Sequence, residues 1–71
     1  MSKETNGFIK ALDDMDQDVR LSKYDKMYLL NKYHNKVANV LQIASDPEDI
    51  FNAVHIIAHI KILIQKVEND V

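Results

Sequence analysis

The stretch that decides the fold is residues 45–67, SDPEDIFNAVHIIAHIKILIQKV. It opens with Asp46 as a helix N-cap residue, Pro47 at the first helical position and acidic residues in the first turn. This order is typical of a helix start, because proline lacks the N–H that would be unpaired there. Apolar residues then recur at helical spacing as far as Val67. The pattern predicts a long apolar C-terminal helix over residues 47–68.

A second helix is predicted immediately upstream, over residues 22–44. Ser22 is followed three residues later by Asp25, the spacing of a capping box, and apolar residues then fall on one broad helical face. Only a few residues separate this helix from Pro47. Because so short a connection reverses the chain, the two helices are expected to form an antiparallel hairpin.

A short first helix is predicted over residues 6–16, with residues 1–5 frayed and Thr5 or Asn6 as its cap. Its apolar residues share one stripe, which extends to Val19. Several aspartates crowd the C-terminal end, where the helix dipole disfavours negative charge. We therefore expect the helix to end near Asp16, with its acidic residues in solvent.

Composition limits the fold to one small helical domain over residues 1–71. The chain has one glycine, one proline and no cysteine, so it lacks the turn residues of an all-β fold and the thiols of a disulfide framework. The predicted class is all-α: a small bundle of a short N-terminal helix and an antiparallel hairpin. A chain of this length buries little surface, so we expect oligomerisation to complete the bundle.

The C-terminal helix has two apolar sides, which is the main reason to expect an oligomer. One side is wide enough to cover both other helices, and a three-helix monomer leaves nothing to cover the second. A twofold arrangement is the commonest closed symmetry. The predicted oligomer interface consists of Phe51, Val54, His55, Ala58, His59 and Ile62.

His55 and His59 are four residues apart and therefore share a helical face. They form either a polar seam at the interface or a metal pair. Ile56 stands where the H-E-x-x-H motif has its glutamate, and no third ligand is apparent nearby. The aspartates from Asp14 onward begin like a calcium loop, but Val19 occupies the position that needs glycine. No metal and no cofactor are predicted.

Several other classes of function are excluded on composition. The chain has no glycine-rich phosphate loop and no arrangement suited to nucleophilic catalysis, so an enzyme is not expected. A sequence pI near 5.8 argues against duplex-DNA binding, although residues 22–45 form a basic segment between two acidic ones. His55, His59 and Lys61 interrupt the apolar run, so a membrane span is not expected. With no signal-peptide pattern, a cytoplasmic protein is expected.

The outward face of the second helix carries a predicted binding surface for a protein partner. Two tyrosines four residues apart lie among asparagine and lysine, which suits a protein hot spot. The predicted surface consists of Tyr24, Tyr28, Asn31, Lys32 and Asn35. In the alternative interpretation, the first helix folds across Tyr24 and the tyrosines belong to the core.

The favoured function is that of a non-enzymatic homo-oligomer that binds and regulates or inhibits another protein. One alternative is an oligomer that sequesters a nucleotide or cyclic nucleotide, with tyrosines on the base and Lys23, Lys26, Lys32 or Lys36 on the phosphates. A second is a purely structural oligomerisation module. In size and layout the chain is similar to small helical regulators, including phage accessory and counter-defence proteins and the phage family that sequesters cyclic nucleotides. That similarity extends to no motif and assigns no residues.

Overall fold

Three helices account for most of the chain. The computed structural model describes residues 3–69, in which α1 spans Lys3–Asp16, α2 spans Lys23–Ile43 and α3 spans Pro47–Glu68. No strand occurs within those residues. The all-α prediction is therefore confirmed.

The first helix begins earlier than the sequence pattern predicts. α1 is helical from Lys3, so the expected frayed segment is ordered from that residue onward, while residues 1 and 2 lie outside the described range. Thr5, an expected cap, lies inside the helix and is only 6% exposed. It lines the same cleft as Asn52 of α3. α1 therefore begins before the point that residue preference alone indicates.

Side-chain caps set the starts of the other two helices. The Ser22 hydroxyl accepts a hydrogen bond from the Asp25 backbone N–H at 3.1 Å, and the Asp25 carboxylate accepts one from the Ser22 N–H at 3.3 Å. At the start of α3, the Asp46 carboxylate accepts from the Glu48 N–H at 2.9 Å, with Pro47 following the cap. These are the capping residues that the sequence predicts, and each satisfies N–H groups that a helix leaves unpaired.

α2 runs antiparallel to α3, whereas α1 runs parallel to it. Residues 44–46 join α2 to α3 at one end, and at the other end the Lys23 ammonium group lies 3.5 Å from the Glu68 carbonyl oxygen. Asp13 of α1 pairs with His59 of α3, and Asp16, further along α1, pairs with Lys66, further along α3. The resulting order is up, down, up.

The core lies where the three helices meet and is small. Leu30 of α2 and Ile60 of α3 are completely covered. Around them lie three further buried residues, Leu12, Leu63 and Val67, and a partly buried shell of Phe8, Met15, Met27, Tyr33, Val37, Ile56 and Ile64. The rings of Phe8 and Tyr33 meet edge to face with centroids 5.7 Å apart, which fixes α1 against α2.

Two residues expected on the apolar faces are not in the core. Val19 is 96% exposed because α1 ends at Asp16, and the helical register no longer applies beyond that point. Val40 is 50% exposed because it lines an open cleft beside Thr5, where α1 covers α2 only in part.

The molecule presents more surface than a compact monomer of its mass. Its accessible area is 5209 Å², whereas about 4500 Å² is typical of a folded monomer of this size. The Cα atoms extend over 39 × 22 × 15 Å, so the three helices form a thin slab. The additional surface includes several large apolar side chains.

Candidate interaction surfaces

The predicted partner surface on α2 is open to solvent. Tyr24 and Tyr28 are 83% and 67% exposed, and Asn31, Lys32 and Asn35 are exposed beside them. We call these five residues the tyrosine face. The alternative interpretation, in which α1 covers Tyr24, is therefore wrong.

α1 packs against a different side of α2. Phe8 of α1 contacts Tyr33 edge to face, and Leu12 and Met15 line one small cleft with Leu29 and Tyr33. At 100° per residue, Tyr33 lies about 140° around the helix from Tyr28. Tyr33 therefore belongs to the α1–α2 contact, whereas Tyr24 and Tyr28 lie outside it.

A second open surface follows the side of α3 that faces away from the core. Phe51, Val54 and Ile62 are 61%, 51% and 62% exposed, and Ala58 is exposed between them. We call these four residues the outer stripe. The exposed His55 lies alongside, with its ring stacked on that of Phe51 at a centroid distance of 6.4 Å. One helix thus carries a covered apolar face and an uncovered one.

The tyrosine face and the outer stripe lie on opposite sides of the α2–α3 pair. Leu30 turns the inner side of α2 toward α3, and the tyrosine face lies on the reverse side. Ala53 and Ile60 turn the inner side of α3 toward the core, and the outer stripe lies on the reverse side of that helix. The two surfaces are therefore available independently.

The two histidines of α3 have different neighbours. His59 is partly buried, and its Nε2 atom lies 2.7 Å from an Asp13 carboxylate oxygen of α1. The contact is a hydrogen bond, and it becomes an ion pair when the imidazole is protonated. His55 instead stacks on Phe51. The structure therefore turns His59 toward α1 and leaves only His55 beside the outer stripe.

The described residues offer no assembled metal site. Within residues 3–69, no group of three or more histidine, cysteine, aspartate or glutamate side chains is placed to hold an ion. The aspartates that resemble a calcium loop have other contacts: Asp16 pairs with Lys66 at 2.9 Å, and Asp18 pairs with Arg20 at 2.9 Å.

Asp18 and Arg20 form a local ion pair in the connection between α1 and α2. Asp18 accepts hydrogen bonds from the Arg20 guanidinium at 2.9 and 3.0 Å and from the Arg20 backbone N–H at 3.0 Å. The hydrogen bonds from Arg20 lower the pKa of Asp18 from 3.8 to about 2, and the same pair raises the pKa of Arg20. The acidic end of α1 is thus partly neutralised within the turn itself.

Asp16 is buried, contrary to the expectation that the acidic end of α1 is in solvent. It is 8% exposed, its carboxylate accepts from Lys66 at 2.9 Å, and its backbone carbonyl accepts from Lys26 at 2.6 Å. Lysine at a helix C-terminus satisfies unpaired carbonyl groups and offsets the dipole. At the same end of the bundle, the Lys23 ammonium group lies against the Glu68 backbone carbonyl oxygen.

The same lysines line an open cleft of about 670 Å³ at this end of the bundle. Lys23, Lys26 and Lys66 contribute to its wall together with Asp16. Tyr24 and Tyr28 are not among its lining residues. Of the lysines predicted for a nucleotide site, Lys23 and Lys26 therefore line this cleft, whereas Lys32 lies on the tyrosine face.

A smaller cleft of about 350 Å³ lies near the start of α1. Most of its wall is apolar, but the Asn52 side-chain oxygen is buried there without a hydrogen-bond partner. An unpaired buried carbonyl oxygen lowers stability.

Two further residues of α2 differ in their exposure to solvent. Ile43, at the end of α2, is 84% exposed, and sequence reasoning assigned it no role. Helical periodicity places Ile43 outside the apolar face of α2, which is the one sequence feature that indicates its exposure. His34, also in α2, is partly buried.

Among the described residues, α3 is the one helix that is long and apolar enough to cross a membrane by length and composition. The core helix of a water-soluble protein passes the same test, and Ile60, Leu63 and Val67 of α3 are buried in the bundle. Comparisons of the chain with protein-family models, with curated proteins and with solved structures found no match.

Proposed function

We propose that this chain is a non-enzymatic, oligomeric helical protein that binds and regulates or inhibits another protein through the tyrosine face. The observation that supports the proposal most directly is the exposure of Tyr24 and Tyr28 at 83% and 67%. Tyrosine brings a large apolar ring and a polar tip into an interface with little side-chain entropy to lose. Such residues are enriched among the hot spots of protein interfaces.

The chemistry of the tyrosine face suggests the kind of partner. It contains one lysine, two asparagines and no acidic residue, although the whole chain has a formal net charge of −2. A partner surface with carboxylates and hydrogen-bonding groups would complement it. Charge complementarity of this kind increases the rate of association and the specificity of binding.

Self-association through the outer stripe is the second part of the proposal. An exposed apolar row on a helix that already fills the core on its other side is a feature of interaction sites. The accessible surface, larger than that of a compact monomer, supports it. The outer stripe and the tyrosine face lie on opposite sides of the α2–α3 pair, so one contact does not obstruct the other.

The test compares partner capture by the unmodified chain and by a Tyr28→Ala, Lys32→Ala double variant. The protein recovered from a host extract is identified by mass spectrometry, purified and titrated by calorimetry. We expect the double variant to bind at least about tenfold more weakly, a loss of about 1.4 kcal/mol, with unchanged helical circular dichroism. Asn39→Ala with Gln42→Ala, on the same exposed helix, is the matched control.

Three results would count against this proposal. Equal affinity of the two chains would remove the tyrosine face as the binding surface. A loss of helical signal in the double variant would assign Tyr28 a structural role. A stable oligomer that captures no protein would favour the purely structural oligomerisation module.

A second candidate function, binding of a nucleotide or cyclic nucleotide, is favoured by one observation. Lys23, Lys26 and Lys66 line a single cleft, and lysine is a common phosphate ligand. Two of these ammonium groups already contact Asp16, which weakens the case. A thermal-shift panel of adenine and guanine nucleotides and their cyclic forms tests it. A rise in melting temperature that disappears in Lys26→Met would support this function.

A further inference from the structure

We infer that the outer stripe binds a second copy of the chain as an antiparallel α3–α3 pair, in a register that places residue 51 opposite residue 62. The inference rests on the self-association proposed above and specifies its geometry. The spacing of the exposed residues and their complementarity in size and charge support this geometry.

Six exposed residues of α3 recur at alternating intervals of three and four positions, and the exposed Val54 of the outer stripe lies beside this row. This is the spacing of the contact positions of a coiled coil, where each side chain enters a space between residues of the facing helix. All six positions in the row are exposed: Glu48, Phe51, His55, Ala58, Ile62 and Gln65. The row extends beyond the outer stripe at both ends, where its residues become polar.

An antiparallel pairing makes this row complementary to itself. Phe51 meets Ile62 of the second copy, so a large apolar residue faces another at each end of the stripe. His55 meets Ala58, so a ring lies over a small side chain near the twofold axis. At the margins, the Gln65 amide N–H donates to the Glu48 carboxylate of the second copy. The twofold axis repeats each contact.

A parallel pairing in register is unfavourable for the same residues. Each position would face its own copy, so Glu48 would face Glu48 and the two carboxylates would repel each other. Ala58 would face Ala58, leaving a gap between larger neighbours, which weakens packing. Charge and volume therefore both favour the antiparallel arrangement.

The available area suits a second copy of the chain. The accessible surface of 5209 Å² exceeds the roughly 4500 Å² typical of a compact monomer, so the fold leaves additional surface that a second copy can cover. Glu48 and Asp49 in the first turn of α3 disfavour an anionic lipid surface, since helices that lie on membranes carry lysine and arginine on their polar side. The outer stripe therefore fits a protein helix better than a membrane.

The experiment crosslinks single-cysteine variants, which is direct because the chain has no cysteine. Glu48→Cys and Gln65→Cys alter only the polar margins and leave the apolar contacts intact. In the antiparallel register these two positions share a layer, whereas each is about 26 Å along the helix axis from its own copy. With a short bismaleimide, we expect crosslinked dimer when the two variants are mixed and none from either alone. Gln42→Cys, on the exposed side of α2, mixed with Glu48→Cys, is the negative control.

Light scattering of the unmodified chain at tens of micromolar separates failure of the register from failure of self-association. A dimer in which Glu48→Cys crosslinks to itself overturns the antiparallel register while self-association stands. A dimer with no crosslink in any mixture places the interface on another face and also overturns the inference. A strict monomer overturns both proposals. If that monomer also sediments with phosphatidylcholine–phosphatidylglycerol vesicles, the outer stripe belongs to a membrane contact.

Discussion

Replacing Lys66 should destabilise the fold more than neutralising its partner Asp16. The Asp16 side chain is 7% exposed, whereas that of Lys66 is 65% exposed, and their charged atoms lie 2.9 Å apart. Lys66→Met keeps the apolar stem of the side chain but leaves a buried carboxylate without this partner. Asp16→Asn removes the charge and keeps an oxygen acceptor, while the lysine ammonium remains hydrated. The burial of the two partners is unequal, so the two costs are unequal.

The magnitude follows from that inequality. Removing one partner of a fully buried ion pair costs about 3–5 kcal/mol. Lys66 is mostly in water and Lys26 still lies against the Asp16 carbonyl, so we expect Lys66→Met to cost about 2 kcal/mol. Asp16→Asn also relieves a negative charge at the C-terminus of α1, a gain of about 0.3–1 kcal/mol. Its net cost should therefore remain below about 1 kcal/mol.

Urea denaturation followed by circular dichroism measures these differences. All variants must be compared at one protein concentration, because self-association adds to apparent stability. A variant that combines Lys66→Met with Asp16→Asn should be more stable than Lys66→Met alone, since it no longer contains the unpaired buried carboxylate. Lys36→Met, on exposed α2 surface, is the control and should change the free energy of unfolding by less than about 0.5 kcal/mol. The reasoning is refuted if Asp16→Asn costs more than Lys66→Met, or if adding Asp16→Asn to Lys66→Met lowers stability further.

Three further predictions concern the core, the unpaired side-chain oxygen of Asn52 and the effect of pH. Ile60→Val should cost about 1 kcal/mol of unfolding free energy, whereas Ile43→Val should be neutral because Ile43 is 84% exposed; equal effects in urea denaturation would contradict this burial pattern. Asn52→Leu removes an unpaired buried oxygen and should stabilise the fold by about 1 kcal/mol, and a lower melting temperature would show that the amide has a partner in solution. The Asp18 pKa of about 2 lies below the ordinary 3.8, so the stabilisation from its pair with Arg20 is complete above pH 3.8 and is lost as the pH falls through about 2. An NMR titration that leaves the Asp18 pKa unchanged in Arg20→Gln would disprove this cause.

Local sequence signals were sufficient for the starts of α2 and α3. The Ser22–Asp25 capping box and the Asp46–Pro47 start involve residues within three positions of each other, so their hydrogen bonds can be inferred from spacing. The start of α1 could not be inferred in this way. Thr5 is buried within α1 and lines the same cleft as Asn52 of α3, and the neighbouring residues in the chain give no signal of that burial.

Long-range pairs limited the prediction of the candidate sites. Asp16 forms its ion pair with Lys66, 50 positions away in the chain. His59 contacts Asp13, 46 positions away. Helical periodicity places each of these residues on a face but does not give the rotation of α1 against α3. For that reason the sequence grouped His55 with His59 in one seam, and the structure turns His59 toward α1. The exposure of the tyrosine face could not be predicted from periodicity either, because it depends on which side of α2 packs against α1.

The opposite placement of the tyrosine face and the outer stripe has a consequence for dosage. An assembly joined through α3 would carry two tyrosine faces directed outward in opposite directions, so it would link two partner molecules instead of gripping one twice. Bridging by such a divalent linker passes through a maximum as its concentration rises. At low concentration there are too few linkers, and at high concentration each partner molecule is occupied by a separate linker. A titration of partner clustering against chain concentration should therefore be bell-shaped, while a monovalent inhibitor would give a curve that only saturates.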